Sequence, residues 1–216
     1  MNLLAVDTAT EKLSVALFAG GEKWYFSADA GLRHSDLLTD ITDLLMKKAA
    51  LKPEQLSGVV CMDGPGSFTG LRIGFSFAKG LALSLSIPFA AIPTLDCMAR
   101  PFSFWPGIIM PVIDAKKGAF FCTLFNDGKR LCPDMDITPA KIFSTVEKQG
   151  AEAANRVLLV GPGAGLFHEK LSGMPANPPT PNPTPYSPNP IPQTLFPKPY
   201  SPLPIPYSLL YIGVTL

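Results

Sequence analysis

The chain has 216 residues, of which 18 are basic and 17 acidic, for a net charge of +1 at neutral pH. That balance excludes a broad basic surface for autonomous nucleic-acid binding. Composition changes abruptly along the chain: 14 of its 24 prolines fall between Pro175 and Pro206, and Lys198 is the single charged residue after Met174. Residues 1–173 have the make-up of a folded unit, long enough for one domain or two small ones, and 174–216 that of a different polymer. Cys61, Cys97, Cys122 and Cys132 stand singly, without metal-type pairing. They read as small buried apolar residues of a reducing compartment.

The apolar opening of the chain is interrupted by Asp7 and has no basic residue before it, which argues against a secretory signal. Leu3–Val6 reads as a buried strand ending at Asp7, and Leu13–Phe18 as a second. Gly20-Gly21 is a hairpin turn into a third, Lys23–Ala28. Ser35 offers an N-cap to a helix carrying Leu37, Leu38, Ile41, Leu44 and Leu45 on one face. A strand at Gly58–Met62 leads into Asp63-Gly64-Pro65-Gly66. A second helix then runs from Ser67 to Ser86, ended by Pro88 before a short strand, Phe89–Ile92. The segment Gly74–Pro93 is the most apolar, but Lys79 and Pro88 within it favour a buried helix and strand over a membrane span. The order is βββαβαβ, and the protein is expected to be soluble and cytoplasmic.

After Pro106-Gly107 the pattern restarts. Ile108–Ile113 is a strand ending at Asp114, and Ala119–Phe125 is its partner. Asn126-Asp127-Gly128 turns into Arg130–Cys132. A helix from Thr138 to Gln149 and a strand at Arg156–Val160 follow. Asp7 and Phe18 are eleven residues apart, as are Asp114 and Phe125, and Gly-Pro-Gly follows a buried strand at both Gly64–Gly66 and Gly161–Gly163. Both matches occur in the same order, which points to two related domains facing each other across a cleft.

Strands ending in Asp and followed by tight turns can present N–H groups and hydroxyls to phosphates, and the two aspartates can hold a hydrated Mg²⁺. The residues in question are Asp7, Thr8 and Thr10 in the first copy and Asp114 in the second, with Gly64, Gly66, Ser67, Gly161 and Gly163 in the glycine loops. This layout resembles the actin-like ATPase superfamily, an α/β fold duplicated as two domains. Alternatively the aspartates cap turns and the loops are vestigial, because a full set of phosphate ligands is missing. Other templates fail outright. Neither glycine loop supplies the Gly-Lys-Ser/Thr of a Walker loop, and G-x-S-x-G is absent around Ser67. The two histidines, His34 and His168, make no zinc site; His34 reads as an exposed or N-terminal helix residue and His168 as a surface one.

The string Gly64–Gly74, GPGSFTGLRIG, closely resembles the signature of the bacterial TsaB (YeaZ) family. LLAVDTAT at the start, RHSDLL at Arg33–Leu38, IDAKKGAFF at Ile113–Phe121 and VLLVGPGA at Val157–Ala164 match in the same order, over about residues 1–170. The resemblance implies a duplicated actin-like fold. It also implies a non-catalytic subunit that pairs with its paralogue TsaD, joined by the ATPase TsaE, in threonylcarbamoylation of the adenosine beside the anticodon of tRNAs. ATP and metal would belong to the partner subunits, tRNA would be met only through the complex, and the chain alone could form a homodimer. TsaD-type enzymes place a metal-binding His-x-x-x-His after the short strand; here that place is Thr94–Ala99, without histidine. The family's older glycoprotease (M22 peptidase) label therefore fails on ligand count. No residue is assigned a catalytic role. The rival reading is an actin-like phosphotransferase using ATP through the Asp7, Asp114 and Gly161 loops.

A partner surface is expected on the two helices, Leu37, Leu38, Ile41, Leu44 and Leu45 on the first and the small-residue stripe Gly70, Gly74, Ala78 and Ala82 on the second; the alternative is that both stripes face their own sheet. The expected domains are 1–100, an N-terminal actin-like unit, 101–173, an incomplete second one, and the proline-rich tail 174–216. The tail departs from the family pattern; a partner ligand, a linker, and a disordered or frameshift-derived segment are its alternative readings.

Overall fold

The computed structural model describes residues 1–142, 145 and 157–172, and the backbone of 212–214. Two mixed sheets carry the helices. In the first, β1 (Leu3–Asp7), β2 (Lys12–Ala19) and β3 (Glu22–Asp29) form an antiparallel meander. β4 (Gly58–Gly64) then adds parallel to β1, and β5 (Phe89–Pro93) parallel to β4. Alternation explains the meander: Leu13, Val15, Leu17 and Ala19 of β2 all turn to the core. The turn at Gly20-Gly21 has positive φ at both residues, which glycine adopts without steric cost and which pairs Ala19 with Glu22.

Helix α1 (His34–Lys48) follows β3 and lies over β2 and β3. Its N-cap is Arg33, without a side-chain cap, so Ser35 is not the capping residue; it sits inside the first turn with its hydroxyl on Asp36. Asp36 in the first turn and Lys47 and Lys48 in the last suit the helix dipole. Helix α2 (Phe68–Leu85) crosses between the parallel strands β4 and β5. It stops at Ser86, in the left-handed conformation, where the Ile87 N–H donates to the Ala82 carbonyl; Pro88 follows this stop rather than making it. The buried residues of α1, α2 and one face of the first sheet form a single apolar cluster.

A short helix the sequence did not signal, α3 (Thr94–Ala99), leads to the second sheet. There β6 (Ile108–Asp114) pairs antiparallel with β7 (Phe120–Cys122) and parallel with β11 (Val157–Val160). The strand expected over Ala119–Phe125 is interrupted after Cys122 and resumes as β8 (Phe125–Asn126), which hairpins into β9 (Lys129–Arg130). β10 (Met135–Ile137), not anticipated, lies on β7. Helix α4 (Ala164–Ser172) covers this sheet, with Phe167 edge-on to Phe120 at 5.1 Å. The first strands of both sheets thus share one pattern: a centre (β1, β6), an antiparallel neighbour (β2, β7) with a third strand beyond it (β3, β10), and a parallel strand on the other side (β4, β11).

The expected helix from Thr138 begins as a 3-10 turn at Pro139–Lys141, and most of its remainder lies outside the described residues. So does most of the tail, apart from residues 212–214. β12 (Ile212–Val214) pairs antiparallel with β11, Val157 opposite Val214 and Leu159 opposite Ile212. At this one place the tail, read from the sequence as a ligand, a linker or a disordered or frameshift-derived segment, adds a strand to the second sheet. β11 is buried along its full length, so removing its neighbour leaves an apolar edge with unpaired backbone groups. Truncation before Ile212 should therefore lower the melting temperature by several degrees, for a loss of about 1–2 kcal/mol, and promote association. Calorimetry with light scattering on the truncated chain checks both effects.

Candidate functional site

The β1–β2 turn and the start of α2 are joined by backbone bonds. The Asp7 carboxylate accepts from the Ala9 N–H at 2.9 Å, and the Ala9 carbonyl accepts from the Ser67 N–H at 2.7 Å. The buried Thr8 hydroxyl donates to the Gly70 carbonyl at 2.7 Å, and the Ser67 hydroxyl caps α2 by accepting from the Gly70 N–H at 3.2 Å. Thr10 accepts from the Lys12 N–H at 3.3 Å. The groups expected to face a phosphate are thus engaged within the fold. The glycines serve the same contact: a Cβ on Gly66 would lie 2.4 Å from the Ala9 carbonyl oxygen, and one on Gly70 2.0 Å from that of Thr8. On Gly74 it would meet the Thr8 hydroxyl at 2.4 Å. Gly70, Gly74, Ala78 and Ala82 are all buried. That corrects their place in a partner surface: the small-residue stripe brings α2 close to its own sheet.

The second half repeats the construction. The Asp114 carboxylate accepts from the Lys116 N–H at 2.8 Å, and the Gly163 N–H donates to the Val112 carbonyl at 2.9 Å. A Cβ on Gly161 or Gly163 would lie 2.8 Å from the β6 backbone. The two Asp-bearing turns meet, because Lys116 Nζ is 3.1 Å from the Glu11 carboxylate and 3.5 Å from that of Asp114.

Beside them opens a cleft of about 670 Å³, lined by Asp63, Gly64, Phe68, Phe121, Arg130 and Asp134 among others. Arg130 is held by Asp96, by Asp134 at 2.6 Å and by Thr123 at 3.3 Å, and its guanidinium stacks on Phe125 at 5.3 Å. Asp96, the lone acid at the place where an enzyme of the family would carry histidines, is thus in an ion pair. Among the described residues no group of three or more His, Cys, Asp or Glu side chains is placed to hold a metal. Burial pushes the Cys61 thiol up to about 11 and that of Cys122 to about 12, and Cys97 is raised for the same reason. Of the four unpaired cysteines, all but the half-buried Cys97 are buried, as their isolated positions imply.

Asp7 is half-buried, and desolvation raises its carboxyl above the ordinary value of 3.8 despite the Ala9 N–H and the nearby His34, which oppose the shift. The folded state therefore binds this proton more readily than the unfolded chain. That advantage is complete below 3.8 and is lost as the pH rises through the folded value. Asp7→Asn should raise the melting temperature at neutral pH, with the gain vanishing below about pH 4. Thermal melts of both proteins between pH 3 and 8 test this; a variant less stable at neutral pH contradicts it. Of the two readings of His34, the N-terminal helix residue holds and the exposed one does not: it is the first residue of α1 and is buried, with Nε2 unpartnered. His168 is half-buried, and its Nδ1 is buried without a partner.

On α1, Leu38 and Leu45 are core residues, which corrects their assignment to a partner surface. Leu37 and Ile41 are half-buried against that core, and Leu44 is 45% exposed. A groove of about 420 Å³ runs between α1 and α2 over Leu38, Thr39, Arg72, Ile73 and Phe77. Phe68, 69% exposed, borders both this groove and the cleft, with the Arg72 guanidinium 3.9 Å from its ring centre. Leu83, further along α2, is 76% exposed. Reading the sequence missed Phe68, Arg72 and Leu83; their position on the helix face away from the Gly/Ala stripe was the available signal. Among the described residues no helix is long and apolar enough to cross a membrane.

Residues 28–156 match the family model described as tRNA N6-adenosine threonylcarbamoyltransferase, TsaD. The tRNA threonylcarbamoyladenosine biosynthesis protein TsaB of Bacillus subtilis is 33% identical over 176 residues, covering 79% of this chain and 75% of that one. The TsaB of Haemophilus influenzae is 37% identical over 100 residues, 46% of this chain and 42% of its own. Among solved structures, YeaZ from Pseudomonas aeruginosa superimposes with a TM-score of 0.58 at 26% identity, over 64% of this chain and 68% of that one. By motif, by fold and by relatedness along most of its described length, the chain belongs to the TsaB (YeaZ) family.

Proposed function

We propose that the chain is a non-catalytic subunit that pairs with a TsaD-type subunit, in company with a TsaE-type ATPase, in the threonylcarbamoylation of tRNA adenosine. The observation that carries this reading is the outer face of the α1–α2 pair. Phe68 stands exposed on the open groove between the two helices, and Leu44 and Leu83 are exposed further along α1 and α2, on a helix pair whose other side is anchored in the core. Exposed apolar side chains with an aromatic–Arg pair among them have the make-up of an interaction surface. The repeated strand pattern of the two sheets supports a duplicated actin-like frame, and the inward use of Thr8, Ser67 and the glycine loops supports its service as scaffold rather than as a phosphate site. A cytoplasmic location accords with that role.

Reconstitution tests the proposal. A mixture with the TsaD-type and TsaE-type proteins should form the modified nucleoside only when this chain is present, while the chain alone turns over no ATP. An undiminished rate without it would sink the scaffold reading, and ATP turnover by the isolated chain would favour the phosphotransferase.

A further inference from the structure

We infer that the β1–β2 turn couples closure of the cleft between the two halves to the seating of the α1–α2 pair, with Glu11–Lys116 as its latch; this rests on the reading of that pair as the partner-facing surface. Residues 7–11 hold the starts of both helices. The Glu11 carbonyl accepts from the Ala30 N–H at 3.1 Å and the Gly31 N–H at 3.2 Å, and the Ala30 carbonyl in turn accepts from Arg33, the N-cap of α1. The Ala9 carbonyl and Thr8 hydroxyl hold Ser67 and Gly70 at the start of α2. From the same turn the Glu11 side chain reaches across to Lys116 in the other half.

Lys116 is set up for that contact. Its φ of +60° is one that few non-glycine residues adopt, and the Asp114 carboxylate fixes it by accepting its N–H. Both members of the pair are exposed, Glu11 at 76% and Lys116 at 71% by side chain, so water and salt weaken the contact and it can open reversibly. The main apolar clusters of the two halves are separate, so opening need not break a shared core. The Asp96–Arg130 pair and the packing of Ala99 and Phe102 against Ile109 and Phe125 tie α3 to the second half, which makes that half a single lever on Lys116. When the latch parts, the turn is freed on one side, and the helix starts it holds are loosened with it.

Amide hydrogen exchange followed by NMR on the full chain tests this without a partner present. Lys116→Ala or Glu11→Ala should speed exchange at Ala30, Gly31, Ser67 and Gly70 by about two- to five-fold, with the amides of Val15–Leu17 unchanged. The conservative variant Lys116→Arg, which keeps a cation between Glu11 and Asp114, should retain the slower rates. Salt at about 1 M should act on the wild type as the alanine substitutions do, and leave those variants unaffected. Unchanged exchange at the four amides in the alanine variants, acceleration spread evenly over the first half, or alanine-like rates in Lys116→Arg would overturn the coupling. Affinity for a TsaD-type subunit should fall in the alanine variants only in proportion to the closed fraction they lose. If the exchange pattern holds and no such subunit binds, the functional reading fails and the coupling stands.

Discussion

Replacing Gly70 with alanine should destabilise the first half by more than about 2 kcal/mol, the largest effect expected of so small a change. The added methyl would lie 2.0 Å from the Thr8 carbonyl oxygen, a backbone atom that cannot swing aside as a side-chain end can. Relief requires α2 to lift from the turn, which stretches the Thr8 hydroxyl bond to the Gly70 carbonyl and the Ser67 bond to Ala9. The Thr8 hydroxyl is buried, and a buried donor left unmade costs about 1–3 kcal/mol. Gly80 supplies the control: it lies on the same helix with nothing within 4 Å of a Cβ, so Gly80→Ala should be neutral or stabilising through helix propensity. Urea unfolding of the two variants measures the difference. Equal stabilities would mean that the approach of α2 to the β1–β2 turn is looser than described.

Leu44→Asp should weaken pairing with a TsaD-type subunit by at least about 30-fold, the equivalent of a 2 kcal/mol hot spot, while leaving the melting temperature within about 2 °C. Leu44 is exposed in the isolated chain, so a carboxylate there stays solvated until a partner covers it, and only the complex bears the desolvation. Ile41 is a poor probe for the same purpose. It packs partly on the core, and Ile41→Asp would disturb folding and pairing together. Calorimetric titration alongside a thermal melt separates the outcomes: wild-type affinity in Leu44→Asp removes this face from the interface, and a collapsed melt makes Leu44 a core residue.

Much of the architecture was legible because it is written in local periodicity. β2 alternates strictly, Gly20-Gly21 supplies the turn its register needs, and the boundaries of β1, β2, β4, α2 and β6 fall within one or two residues of the apolar pattern. The second half was harder to read. The interruption at Thr123–Leu124 and the strand β10 depend on which partner is within reach, and β12 arrives from the far end of the chain. No local signal encodes such non-local pairing.

The site divides along the same line. The sequence by itself determined that Asp7 and Asp114 end equivalent strands, that glycines stand at both helix starts, and that the chain carries a family signature. It could not say which way a stripe faces. Gly70, Gly74 and Ala78 suit a close approach to any helix or sheet, and it took the folded chain to show that Gly70 and Gly74 meet Thr8 in the β1–β2 turn and that Ala78 is buried beside them in the core. Leu38 and Leu44 are both leucines on one amphipathic helix, and 3.6-residue periodicity leaves a wide apolar face. Which edge of that face is covered depends on the angle at which α1 meets β2 and β3, and this sends Leu38 into the core and leaves Leu44 in water. The contact of Glu11 with Lys116 is the extreme case: 105 residues separate the two, each reads alone as an ordinary surface charge, and only the folding of both halves brings them together.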